Sequence, residues 1–266
     1  MRAIRTCLLA SLVLAAPAPA FAWSADGHRA VCLIAYEQLT DAAKTGVGAL
    51  LDIAGDTAFA ETCTWADEVL KSRPDTAGWH GITLPKDARE FDLARDCGTP
   101  ASCVIAQVER HASIVKSAAP KPERAEALKF LAHLIGDLHQ PLNVSFTDHR
   151  SGRQISGMFH GLPSNLHDVW ERGLLSTLVP AGKPAAPIIF DAAAWSGRLT
   201  GADRKTPLAW ANETLWVTVA PPTGYLGNQG GDFFGERYIR QNRPVALEQI
   251  DRAGVRLADL LNDALR

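Results

Sequence analysis

The chain has 266 residues, of which 47% are hydrophobic and 21% charged, with a formal net charge of −2. This ordinary globular composition excludes a disordered tail, a collagen and a membrane bundle. It also argues against a broad basic surface that grips nucleic-acid backbones, although metals can supply positive charge that a residue count misses.

Residues 1–22 read as an export signal. Arg2 and Arg5 precede an apolar run from Cys7 to Ala16, and Ala20-Phe21-Ala22 is an A-x-A cleavage site. The run is far shorter than the roughly 20 residues that span a bilayer. Cleavage after Ala22 makes Trp23 the mature N-terminus and implies a secreted or periplasmic protein; an uncleaved anchor is the rival reading. No later stretch is long and apolar enough to span a membrane. Four cysteines remain, at 32, 63, 97 and 103. An even count in an exported chain points to two disulfides. Cys97 and Cys103 would close a short loop through Gly98 and Pro100, and Cys32 and Cys63 would then pair. Zinc–thiolate ligation is the alternative, disfavoured because no C-x2-C spacing is present.

Residues 23–266 read as one mainly α domain with short extended segments and no repeat or linker. Gly27 to Leu39 sets Val31, Ile34, Ala35 and Leu39 on one helical face, with Asp26 as a possible cap. Cys103 to Ser117 is a second helix. Pro122 to Leu138 is a third, with Pro122 and Glu123 in its first turn and Pro141 beyond its end. Leu166 to Leu175 is a short helix. Leu247 to Leu265 carries an apolar stripe that includes Ile250, Leu257 and Leu261. Ile82 to Asp92 holds a short extended segment. Residues 176–190 and 220–235 are rich in Pro and Gly and read as loops.

Two pairs on these helices carry chemistry. His133 and Asp137 lie four residues apart, as do His167 and Glu171, so each pair shares a face. Such pairs set two ligands on one metal at little backbone cost, and imidazole with carboxylate suits zinc. Each pair alone also fits an exposed helix pair. Around His133, however, the helix is apolar, and a polar pair there needs a partner to offset desolvation. Asp26, His28, Asp67 and His80 are further candidates. Asp67 and His80 each follow a Trp, so a Trp core with a polar neighbour is the plainer reading. At Trp23 a free α-amine and the backbone carbonyl could chelate a metal; an amine pKa near 8 makes deprotonation cheap.

The motifs Trp23-Ser24-x-x-Gly27-His28, Trp65-Ala66-Asp67, Trp79-His80, Phe130 to Leu142, and Asn165 to Glu171 occur in one order, with a C-terminal Ala253 to Ala258 run. This ordered set resembles the S1/P1 nuclease family, whose fold is shared with zinc-dependent bacterial phospholipase C. The resemblance implies a mostly helical single domain of the phospholipase C/P1 nuclease fold with three zinc ions. Asp67, His80, His133 and Asp137 would hold one zinc. The Trp23 amine and carbonyl, His28 and Asp137 would hold a second, so Asp137 bridges. His167 and Glu171 would hold the third. Asp67 and Asp137 are the implied catalytic carboxylates. Cys32 and Cys63 fall where plant members place a disulfide.

Departures from the family pattern concern the third zinc and the base pocket. Asn143 stands where the family has the remaining His ligand, so two zinc ions are expected if that site is lost; His149 and His160 in the following loop are candidates to complete it. Arg153 replaces an Asn that contacts the base, and is the candidate substrate-binding residue. Gly81 replaces a stacking aromatic, and Thr83 an Asp that reads the base edge. The implied activity is a zinc-dependent endonuclease acting as a monomer on single-stranded DNA and RNA. Its products would carry 5′ phosphates, with 3′-nucleotidase activity besides. A zinc phospholipase C and a degenerate member with little turnover are the alternatives.

Overall fold

The computed structural model describes residues 23–98, 102–194, 206–227 and 234–266. The predicted export signal, Pro100 and part of the predicted 220–235 loop lie outside the described residues. The chain is mainly α, as expected. Twelve helical segments are described: α1 Ala25–Glu37, α2 Asp41–Leu51, α3 Asp56–Thr62, α4 Trp65–Val69, α5 Leu93–Asp96, α6 Val104–Lys116, α7 Lys121–Leu138, α8 Leu166–Asp168, α9 Leu174–Ser176, α10 Ala185–Ala194, α11 Pro207–Val219 and α12 Glu236–Ala264. Four short strands accompany them, β1 Ile82–Leu84, β2 Val144–Phe146, β3 Ser156–Phe159 and β4 Leu162–Asn165. Among the described residues no helix is long and apolar enough to cross a membrane.

Helix α7 is the axis of the molecule. From Ala127 to Leu138 every residue but Lys129 is buried, because α1, α2, α4, α6, α11 and α12 all pack against it. Pro122 sits in its first turn, where a missing N–H costs nothing. Trp65 and Trp79 both present an edge to the Phe130 ring, at 5.1 and 5.0 Å between centroids. These contacts lay the segments carrying Asp67 and His80 against α7. Helix α1 crosses α12 at Gly254, where a Cβ would come within 2.5 Å of Ile34 Cγ2 and 2.9 Å of the Val31 carbonyl. Only glycine allows that approach.

Several local expectations are corrected. Asp26 does not cap α1: Ser24 is the N-cap, without a side-chain bond, and Asp26 pairs with Arg29 Nη1 at 3.2 Å. Residues 185–190 of the expected 176–190 loop belong to α10, which runs on to Ala194, and α1 packs against it. Helix α12 starts at Glu236 instead of Leu247 and runs through Pro244. Tertiary bonds hold the turns ahead of that proline. Tyr238 donates its hydroxyl to the Thr223 carbonyl and accepts from Trp170 Nε1, and Asn242 Nδ2 donates to the Pro222 carbonyl. The predicted 166–175 helix is continuous in direction, but its middle is a π-helical turn, Val169–Gly173, between α8 and α9. The 82–92 segment keeps only three strand residues. Strands β1 and β2 pair in parallel, Ile82 opposite Val144, and β3 and β4 form an antiparallel hairpin.

His111 on α6 is buried beside Trp79 and Phe130, and its Nδ1–H donates to the Gln107 carbonyl at 2.7 Å. Burial lowers its pKa to about 4. The unfolded chain binds a proton there near pH 6.5 that the folded chain refuses. Stability present above pH 6.5 is therefore lost as pH falls towards 4, by at most about 1.4 kcal/mol per pH unit. Urea midpoints at pH 7 and 5 should differ less in His111→Gln than in the wild type.

Candidate metal centre

Five predicted ligands converge although four separate segments carry them. His133 and Asp137 come from α7, His28 from the first turns of α1, Asp67 from α4, and His80 from the end of a 3₁₀ turn, Pro74–His80. Asp137 Oδ2 lies 2.9 Å from His80 Nδ1 and 3.3 Å from His133 Nε2. Its other oxygen, Oδ1, lies 3.5 Å from His28 Nε2. Asp67 Oδ1 approaches His133 Nε2 at 3.3 Å and His80 Nδ1 at 3.7 Å. Asp137 thus has one oxygen towards each half of the cluster.

The backbone prepares these side chains. His133 Nδ1–H donates to the Cys63 carbonyl at 2.7 Å, which leaves Nε2 as a lone pair facing the two carboxylates. His28 stacks on His133 at 3.8 Å with a 13° tilt. Room for the His28 ring comes from Gly136, where a Cβ would sit 2.9 Å from Nδ1. Trp23 is fully buried, and its indole N–H donates to the Gly136 carbonyl at 3.0 Å. That bond ties Trp23 to α7 one residue before Asp137. Both cysteine pairs are joined, Cys32 to Cys63 and Cys97 to Cys103, as expected. The Cys63 carbonyl and Gly136 were not singled out in the sequence. A carbonyl has no sequence signal; a glycine inside an apolar helix does, because it costs about 1 kcal/mol against alanine.

The electrostatics ask for a cation. Burial and the neighbouring His133 lower the His28 pKa to about 3, so its imidazole is neutral. Burial works against charge on His133, but Asp137 and Asp67 outweigh it and raise its pKa. Burial pushes the Asp137 carboxyl up, while His133 and His80 pull it further down, so it is ionised. Among the described residues, six buried atoms here have no hydrogen-bond partner: His28 Nδ1 and Nε2, Asp67 Oδ1, His80 Nε2, His133 Nε2 and Asp137 Oδ1. Buried lone pairs without partners are costly, and a divalent ion held by imidazole and carboxylate satisfies them. The ligand atoms of His28, Asp67 and His133, and those of His80, His133 and Asp137, lie close enough to hold a metal.

The third expected site is different. His167 Nε2 lies 3.8 Å from Glu171 Oε2, with Glu171 on the π-helical turn and His167 Nδ1–H donating to the Ser151 carbonyl at 2.8 Å. Asn143 offers them at most its amide oxygen. Its Nδ2 donates to the His80 carbonyl at 2.9 Å, a bond set by the β1–β2 register. His149 faces Asp148 and the Tyr225 ring, and His160 is exposed in the hairpin turn against Phe159. Among the described residues neither joins a metal-sized group with His167 and Glu171. Burial pushes the Glu171 carboxyl up to about 7. Asp26 stays at the surface with Arg29. Arg153 is partly buried, its Nη1 3.5 Å from Asp168 Oδ1.

A cleft of about 340 Å³ opens beside His80, lined by Gly81, Thr83, Ser102, Asn143 and Ser151 among others. Gly81 packs on the Asn143 carbonyl, where a Cβ would approach to 2.9 Å. The backbone itself therefore leaves no room for a side chain at that position without movement.

Known proteins share this arrangement of sequence. The chain is 27% identical over 268 residues to Endonuclease 2 of Arabidopsis thaliana, covering 90% of this chain and 89% of the relative. It is 27% identical over 270 residues to Nuclease P1 of Penicillium citrinum, covering 91% and 97%. With Nuclease S1 of Aspergillus oryzae it shares 26% over 265 residues, 91% of each chain. The S1/P1 nuclease profile matches residues 23–266, the whole span that begins at the buried Trp23. On that match the chain belongs to the S1/P1 nuclease family, whose members hydrolyse phosphodiester bonds.

Proposed function

We propose that this chain is an exported, monomeric, zinc-dependent nuclease. It would cleave single-stranded DNA and RNA to products with 5′ phosphates and remove 3′ phosphates from nucleotides. The buried convergence of His28, Asp67, His80, His133 and Asp137, with their partnerless atoms, carries this reading. Asp67, His80, His133 and Asp137 would hold one zinc. His28, Asp137 and the amine and carbonyl of Trp23 would hold the other. Bound there, paired zinc ions supply Lewis acidity and water of lowered pKa for attack on phosphorus.

The remaining work falls to the chain. Asp137, wholly buried, sets the spacing of the two positions with its two oxygens. Asp67 keeps 15% of its side chain exposed and so meets the solvent from which the attacking water comes. The cleft beside His80 admits a splayed nucleotide, as single strands provide. Gly81 and Thr83 give it neither an aromatic face nor a carboxylate, and the carboxylate that does line it, Asp96, is held by Arg95, so discrimination among bases is weak.

The proposed export signal ends where the match to the family begins, at Trp23. Chain starting at Trp23 is expected to hold two zinc ions by elemental mass spectrometry. Chain with residues left ahead of Trp23 should hold one, because the α-amine is gone. The zinc-loaded protein should cleave a single-stranded oligonucleotide and spare phosphatidylcholine. Cleavage of phosphatidylcholine alone would replace the nuclease reading with a phospholipase, and loss of neither zinc on N-terminal extension would remove Trp23 from the ligand set.

A further inference from the structure

Resting on the reading above, we propose that no metal serves the third position and that the Arg153 guanidinium is the cation that binds the substrate phosphate there. The residues at that position do not fit a zinc ion. Two ligands, His167 and Glu171, are in place, and Asn143, whose Nδ2 donates to the His80 carbonyl, offers only its amide oxygen. Among the described residues no third His, Cys, Asp or Glu completes the group. An amide oxygen is in any case a neutral and poor ligand for zinc.

Positive charge already stands at the site. Arg153 Nη1 lies 3.5 Å from Asp168 Oδ1; burial works against its charge, and Glu171 and Asp168 support it. Arg172 adds a second guanidinium, with Nη2 3.1 Å from Asp168 Oδ2 and Nη1 3.5 Å from Glu171 Oε1. Two guanidiniums on these carboxylates repel a further divalent cation and neutralise the charge that would attract it.

Arg153 is built in rather than loosely laid down. It follows three residues in the left-handed region, Arg150, Ser151 and Gly152, at φ 47°, 57° and 80°. Non-glycine residues adopt that conformation at a cost, and such strain concentrates at functional sites. Gly152 packs on Leu142, where a Cβ would lie 2.7 Å from Cδ1. Ser151 gives its carbonyl to His167 and also lines the cleft beside His80. One strained turn therefore places His167, the cleft wall and Arg153 together.

The guanidinium has capacity to spare. Its Nη1 faces Asp168, while Nη2 is buried and has no hydrogen-bond partner. A buried charged donor without an acceptor is costly, and a phosphate oxygen supplies the acceptor. The side chain as a whole is 27% exposed, so an anion from solvent can approach it, and the buried Nη2 is reached by a turn of the guanidinium. Binding at this position moves no proton and breaks no bond; it neutralises phosphate charge and holds its orientation.

The test reads binding, not turnover. Zinc-loaded chain starting at Trp23 is titrated calorimetrically with inorganic phosphate, and separately with a single-stranded phosphorothioate oligonucleotide. Arg153→Ala should keep two zinc ions and bind both probes about 10- to 100-fold more weakly, the loss expected for a charged hydrogen-bond donor. Arg153→Lys should recover only part, since ammonium lacks the planar fork. Arg153→Gln, closer in shape, guards against a folding defect in the alanine variant. The double variant Asn143→His/Arg153→Asn should take up a third zinc. A wild-type chain with a third zinc that Glu171→Ala removes would overturn the inference, as would phosphate affinity indifferent to Arg153. Weakening with the oligonucleotide alone would assign Arg153 to the nucleic acid rather than to its phosphate and would likewise overturn it. A chain that cleaves no nucleic acid would count against the nuclease reading alone, because the zinc count and phosphate affinity are read without cleavage.

Discussion

Asp137→Asn is expected to fold, to lose zinc from both positions, and to hydrolyse single-stranded DNA about 10³-fold or more slowly. The reason is the division of labour within one carboxylate. One oxygen faces His80 and His133, the other faces His28, and the side chain is fully buried. An amide of the same shape keeps the packing but removes the negative charge from a place that water cannot reach. A zinc ion held by His133, His80 or His28 then loses its buried counter-charge, and uncompensated buried charge costs about 3–5 kcal/mol. Asp67→Asn should be milder. Asp67 is partly exposed and makes its closest approaches to His133 and His80, with His28 farther off, so the position at His28 and Trp23 should keep most of its zinc affinity. Zinc per chain by elemental mass spectrometry separates the two variants. An Asp137→Asn protein that retains two zinc ions would refute the bridging role.

Removing the Cys32–Cys63 disulfide should harm both stability and metal binding. The bridge closes a separation of 31 residues, worth about 3.7 kcal/mol in the chain-entropy account. It also joins parts of the metal centre. Cys32 lies one turn after His28 on α1, and Cys63 gives its carbonyl to His133 and precedes Asp67 by four residues. Cys32→Ala/Cys63→Ala should therefore lower the urea midpoint and weaken zinc binding by about 10- to 100-fold, the usual consequence of loosening a partner behind a ligand. The Cys97–Cys103 bridge spans six residues and lines the cleft beside His80 without carrying a carbonyl bonded to a candidate ligand. Its removal should cost about 2 kcal/mol and leave zinc affinity unchanged. Competitive zinc titration of both double variants checks this, and equal zinc affinities would mean that α3 and α4 hold the Cys63 carbonyl without the bridge.

Much of the candidate centre was legible because its signals are local. His133 with Asp137, and His167 with Glu171, share faces through the helix repeat alone, and both pairs are close in the fold. Trp65 and Trp79 illustrate two compatible readings. Both are partly buried and pack on Phe130 at the edge of the core, and through that packing they deliver Asp67 and His80. The helix through Pro244 and the helix at 185–194 were illegible for the opposite reason. Their stability comes from Tyr238, Asn242 and α1, which sequence propensity does not count.

By itself the sequence determined the helical class and the cysteine pairing and named the candidate ligand residues, since periodicity, cysteine number and ordered motifs are properties of neighbouring residues. Only the tertiary structure decided what those residues face. It set one Asp137 oxygen towards each half of the cluster, gave His133 the Cys63 carbonyl, and opened space for His28 at Gly136. It turned Asn143 to the His80 carbonyl and brought Arg153 to Asp168 and Glu171. Such relations depend on the distance and burial between segments far apart in the chain, and desolvation makes those two quantities decide which charges need a partner.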